Sequence, residues 1–118
     1  MGDYDKHLSI AKEKLASLNE AYHAGRHSVV GDLGIKVAEQ LVSAHAASND
    51  EHPTNHKERL YYANRHLPES IQEAMKRMML AYGNLGYDGR NGDSAKSVKQ
   101  AVDKIADFFE EEFDEKVQ

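Results

Sequence analysis

The chain has 118 residues, 40% of them hydrophobic and 30% charged, with a formal net charge of −5 and no cysteine. That length points to one domain over residues 1–118, able to bury a core without metal or disulfide staples. The missing thiols exclude disulfides, thiol catalysis and thiolate metal sites, and the acidic balance argues against a globally basic nucleic-acid binder.

Apolar residues recur at helical spacing nearly everywhere, and no stretch alternates as a strand would. Tyr4, Leu8, Ala11, Leu15, Leu18 and Tyr22 step by fours and threes and predict a first helix, ended by Ala24-Gly25. A second helix is expected from Arg26 to Ser48, with Val30, Leu33, Val37, Leu41 and Ala44 on one face. Gly31, Gly34 and Ala38 form a small-residue track within it, which predicts a close approach by another helix. The polar run from Ser48 to Pro53 breaks the chain.

Thr54 is the expected N-cap of a short third helix, Asn55 to His66, presenting Leu60, Ala63, Asn64 and Leu67 on one side. Pro68 and Glu69 suit the first turn of a fourth helix, whose stripe is Ile71, Met75, Met78, Tyr82 and Leu85. The glycine-rich stretch Leu80–Ser94 is expected to end it. Asp93 or Ser94 would cap a fifth helix carrying Val98, Val102, Ile105, Phe109 and Phe113. The predicted fold class is all-α: an up-and-down bundle of four long helices plus one short helix. Its expected core comprises Leu15, Leu33, Val37, Leu41, Met75, Met78, Val102, Ile105 and Phe109.

No apolar run reaches the roughly 18–20 residues of a membrane span, and the charged start MGDYDKHLS has no signal-peptide core. A cytoplasmic protein with no membrane association is therefore the expectation. Charge is uneven along the chain. Lys57, Arg59, Arg65, Lys76 and Arg77 collect in the middle with His52, His56 and His66, whereas the end from Asp103 onward is strongly acidic. An anion would prefer the middle.

His23–His27 and His52–His56 have the four-residue spacing of a shared metal, but each pair straddles a helix break, so surface histidines are the better reading. Paired Glu-x-x-His motifs on facing helices, which a di-iron bundle needs, do not occur, nor does any phosphate-cradling glycine loop. No metal and no cofactor are expected. Met79, Tyr61 and Tyr62 fall off the core stripes and suit either a partner interface or partial burial.

Three stretches, AYHAGRHSVVGDLGIKVAEQLVSAHAAS, HPTNHKERLYYANRHL and LGYDGRNGDSAKSVKQAVDKIADFFEEEF, resemble the HEPN superfamily of small helical domains over about Tyr4 to Phe113. The resemblance implies a HEPN-like bundle that is usually dimeric and often accompanies a nucleotidyltransferase. Active members carry an Arg, four to six residues, then His, at the start of the last helix. Laid on that motif, this chain has Leu80 in place of the Arg and Leu85 in place of the His, with Gly86 and Tyr87 matching the tail. A leucine neither moves a proton nor balances phosphate charge. The stretch then reads as a degenerate corner lined by Tyr87 and Asp88, or simply as a helix connector.

The resemblance thus implies a non-catalytic domain binding a nucleotide, an RNA or a nucleotidyltransferase. Lys57, Arg59, Arg65, His56 and His66 are the anion-contact candidates. The alternatives are a metal-independent ribonuclease using Arg59 and His66, two helical turns apart on one face, and a structural homodimer subunit. The small-residue track with Met79, Tyr61 and Tyr62 supports the homodimer expectation.

Overall fold

A computed structural model describes residues 2–88 and 92–118, apart from the side chains at 2, 84 and 86–88. Its five helices are α1 (Gly2–His23), α2 (His27–Ser48), α3 (His56–His66), α4 (Glu69–Asp88) and α5 (Gly92–Phe113). No strand occurs among the described residues. The chain is an all-α bundle, as its periodicity predicts.

Side-chain contacts give the direction of each helix. His7 on α1 meets Gln40 on α2 at 2.7 Å, while Leu18 lies beside Gly34, so the two run antiparallel. Leu85 of α4 packs on Gly31, and Ile71 lies with Leu41 and His45, so α4 also opposes α2. Val98 of α5 packs on Gly34 and Phe108 stacks on His45, so α5 runs parallel to α2. The four long helices therefore alternate in direction, with α2 touching every other helix. α3 lies outside this bundle. Its contacts climb α2 in order, His56 to Glu39, Arg59 to Ser43 and Tyr62 to His45, so it runs parallel to α2.

Local chemistry explains the boundaries. Gly25 ends α1 with φ +73°, where Arg26 N–H reaches Ala21 O at 2.9 Å and Gly25 N–H reaches Tyr22 O at 3.2 Å. That is the paired bonding of a Schellman cap, at a φ that glycine, with no Cβ, adopts most readily. Asp50 plays the same part after α2 at φ 60°, with Glu51 N–H bonded to Ala46 O at 2.8 Å. The N-cap of α3 is Asn55, not the expected Thr54. Its side chain accepts from Glu58 N–H at 2.9 Å, and the Glu58 carboxylate reaches back to Thr54 N–H at 2.8 Å. This reciprocal bonding has the logic of a capping box, shifted by one residue.

Eight of the nine expected core residues are buried; Leu33 is half-buried at the edge of the cluster. Helix four ends inside the Leu80–Ser94 stretch, as expected, and runs to Asp88 with Gly83 and Gly86 inside it. Leu85, 2% exposed, seats against Gly31, and this packing outweighs the low helix propensity of glycine. One expectation fails: the face of α3 is rotated. Tyr62, not Asn64, points inward: Tyr62 is 1% exposed, whereas Asn64 faces solvent. The ring contributes a large apolar surface and its hydroxyl finds partners on α2, so the aromatic wins the inner position.

The small-residue track on α2 is used within the chain. A Cβ at Gly34 would lie 2.3 Å from Val98 Cγ1, and one at Gly31 would lie 3.0 Å from Leu85 Cδ1. The track admits α5 and α4 and leaves no face there for a second chain, so the first motive for a homodimer is removed. Tyr62 is removed with it, because it is core.

Candidate functional site

The residues singled out as anion contacts lie along the α2–α3 flank, and all but one are tied to a carboxylate. Glu39 on α2 accepts from His56 at 2.9 Å and lies 3.6 Å from an Arg59 guanidinium nitrogen, while Arg59 Nε donates to Ser43 Oγ at 3.1 Å. Glu51, just past α2, accepts from Arg65 at 2.8 Å and lies 3.1 Å from His66 Nε2. Hydrogen bonding from Arg65 holds the Glu51 carboxyl below its ordinary pKa and raises that of Arg65 in turn. Lys57 is exposed and has no ion-pair partner among the described residues. Each arginine thus arrives already matched by an acid, which lowers the pull this flank exerts on a phosphate.

Arg59 and His66 share a face of α3 but not a site. Seven residues of helix separate them by roughly 10 Å along the axis. One is anchored at Glu39 and the other at Glu51, where His66 also stacks on the Tyr62 ring at 4.5 Å. A cleft of about 250 Å³ beside Arg65 is lined by both Glu51 and Glu58, with the guanidinium lying 4.6 Å over the exposed Tyr61 ring. Two carboxylates make it a poor anion pocket.

The Leu80–Ser94 stretch does not bring Leu80 and Leu85 together. Leu80 is 75% exposed on the outer face of α4, while Leu85 is in the core. The backbone at Tyr87 and Asp88 belongs to α4, and their side chains lie outside the described residues. A histidine at position 85 would be buried against Gly31.

Beneath the α3 flank lies a buried polar chain that periodicity does not reveal. Asn49 Nδ2 donates to the Tyr62 hydroxyl at 2.8 Å, and that hydroxyl lies 2.5 Å from His45 Nδ1. His45 Nε2 faces Glu112 at 3.8 Å; with the ring proton on Nε2 the Tyr62 O–H donates to Nδ1, and with it on Nδ1 the Tyr62 oxygen accepts. Phe108 stacks on the His45 ring and Phe113 meets it edge-on. Burial lowers the His45 pKa, Glu112 partly offsets this, and His66 adds to the lowering. Tyr62 is sealed from solvent, so the chain clamps α3 to the bundle and offers no reacting atom to a substrate.

A roomier cavity lies elsewhere. Between α3 and α4 runs a groove of about 480 Å³, lined by Leu60, Ala63, Met75, Met79 and Leu80, with Lys76 as its one charged side chain. Asn64 and Gln72 supply amides, the latter already donating to Leu67 O at 2.8 Å. It exists because Tyr62 turns α3 toward α2, leaving Leu60 only partly covered. Sequence reasoning marked Met79 as off the core stripe, gave Leu60 to the inner face of α3 and read Leu80 only against a catalytic motif; the placement of α3 brings Leu60 beside the other two.

Against protein-family models, curated proteins and solved structures, the chain matches nothing. No group of three or more metal-ligating side chains occurs among the described residues, and no helix there is long and apolar enough to cross a membrane.

Proposed function

We propose that the protein is a non-catalytic, HEPN-like helical domain that docks a partner protein in the α3–α4 groove. The observation that carries this reading is the groove itself: a concave, methionine-lined apolar surface open to solvent, with a single cation at its rim. Methionine suits an adaptable docking surface, because its unbranched thioether side chain can repack around what it meets. Helix-in-groove recognition asks for such a lining. The resemblance to HEPN domains adds a nucleotidyltransferase as one partner class, and the groove asks of any partner an apolar strip with an acid to meet Lys76.

The nucleotide or RNA reading has less support, since Glu39 and Glu51 already offset Arg59 and Arg65. The ribonuclease reading has less still. Its acid–base group and its cation lie two helical turns apart, whereas a single phosphate needs both within a few ångströms. The test uses melting temperature with ATP and with a short mixed RNA, without metal, at low and moderate salt. The expected result is no shift and no cleavage. A shift that weakens with salt and disappears in Arg59→Ala would replace this reading by nucleotide or RNA binding. Cleavage lost in both Arg59→Ala and His66→Ala would make the protein a ribonuclease.

A further inference from the structure

Resting on that groove reading, we infer that the groove takes a small amphiphile, an unbranched aliphatic chain of medium length ending in one carboxylate. Such a ligand fills the hollow that a partner's side chains would otherwise enter. The first observation is an ordering of the lining. α3 and α4 run antiparallel and join at Leu67–Pro68, so each lining residue has a place along the groove. Nearest the join lie Asn64 on α3 and Gln72 on α4, with Lys76 one helical turn further along. Past Lys76 the lining is Leu60, Met79 and Leu80. The groove is therefore polar from the join to its midpoint and apolar beyond.

Its dimensions suit an alkyl chain. Gln72 to Leu80 covers eight residues, or roughly 12 Å of helix. About 480 Å³ spread over that length makes a trough about 6–7 Å across. A helix, about 10–12 Å wide with its side chains, cannot sink into it. An extended peptide would press backbone N–H and C=O groups against a lining with few partners for them. An alkyl chain meets neither obstacle, and the unbranched methionines Met75 and Met79 can repack along it.

The head group follows from what is left unmatched. Arg59 and Arg65 are each tied to a carboxylate, whereas Lys76 has no ion-pair partner among the described residues. The Asn64 amide makes no hydrogen bond there either, and Gln72 keeps one N–H beyond that given to Leu67 O. One cation and two amide donors match a single carboxylate. They offer nothing to a cationic head.

Isothermal titration calorimetry of the full chain with decanoate tests this, with octanoate and dodecanoate setting the length and decyltrimethylammonium the charge. Decanoate should bind with a negative heat-capacity change. Octanoate should bind about tenfold more weakly, the loss of two buried methylenes, and dodecanoate no more than a few-fold tighter, because the trough ends. Lys76→Met should weaken decanoate by about three- to fivefold at low salt and less at high salt. Lys57→Met is the control, an exposed lysine outside the lining, and should change nothing. No binding of decanoate overturns the inference. So does equal binding of decyltrimethylammonium, or a loss of affinity in Lys57→Met in place of Lys76→Met. If decanoate fails, the uncharged dye Nile red separates this inference from the docking reading. Fluorescence enhancement lost in Met79→Arg, with helical circular dichroism unchanged, keeps the groove as a docking surface without the amphiphile, and no enhancement ends both.

Discussion

The two sides of α2 are held by opposite means. Toward α4 and α5 the helix presents Gly31, Gly34, Val37 and Leu41, and the neighbours come close enough to fill all the space. Toward α3 it presents Glu39, Ser43 and His45, and the contact is made by hydrogen bonds and ion pairs over a single sealed tyrosine. The first side resists any change of volume. The second resists loss of a partner atom, and it leaves a groove open beside it. Stability and binding thereby divide α3 between its faces: Tyr62 and Ala63 join the core, while Leu60 and Asn64 shape a surface.

The largest expected effect sharpens that division. Leu41, 1% exposed, should cost roughly 2–5 kcal/mol when truncated to Ala, through lost burial plus the cavity left behind. Leu80→Ala on the open face should cost less than about 0.5 kcal/mol at concentrations where the chain is monomeric. Urea midpoints for the two variants measure both. Equal losses would erase the distinction between core and docking face.

Tyr62→Phe probes the polar side. The substitution keeps the ring and removes the hydroxyl, leaving His45 Nδ1 buried without its partner and Asn49 without its acceptor. A loss of about 1–3 kcal/mol is expected, the cost of an unsatisfied buried group. The same site sets a pH dependence. Burial keeps the folded His45 pKa below that of an ordinary histidine, with Tyr62, Glu112 and His66 the polar groups facing the ring. The unfolded chain therefore binds its proton first as pH falls. The stability this neutral ring contributes is complete above the unfolded pKa and is lost as pH drops through that value toward the folded one. By NMR, the His45 ring should titrate at lower pH than an ordinary histidine. A normal or raised value would mean that Glu112 outweighs burial.

How far the sequence showed all this follows the same division. The stripes on α1, α2 and α5 were legible because each buries one face at a fixed 3.6-residue period. The glycines at 31 and 34 announced a close approach, though not that α4 and α5 would supply it. The α3 flank was not legible. Its cations read as free because their acids, Glu39 and Glu51, lie 14 to 20 residues away in sequence, a distance that periodicity does not bridge. Asn64 and Tyr62 exchanged places because a hydrogen-bonded aromatic outcompeted a simple apolar count. The end of α4 was legible only as a range, Leu80–Ser94, because glycine propensity does not weigh the seat that Leu85 finds on Gly31.

Gly34→Ala tests the packed seam from the other direction. The added methyl would sit 2.3 Å from Val98 Cγ1 and 3.3 Å from Val102 Cγ2, so α5 must shift. Both contacts are short branched side chains with little room to swing away. Overpacking of this kind costs about 1–3 kcal/mol. The gain in helix propensity, up to about 1 kcal/mol, offsets part of it. A stabilised Gly34→Ala variant would show that the seam is looser than these distances state.

Gly83→Ala should produce the smallest effect and the opposite sign. Its methyl meets nothing within 4 Å, and the position is an exposed helix interior, so only propensity acts. A gain of about 0.5–1 kcal/mol is expected in dilute solution, measured as a raised urea midpoint. No gain, or a loss, would show that a neighbour crowds this position.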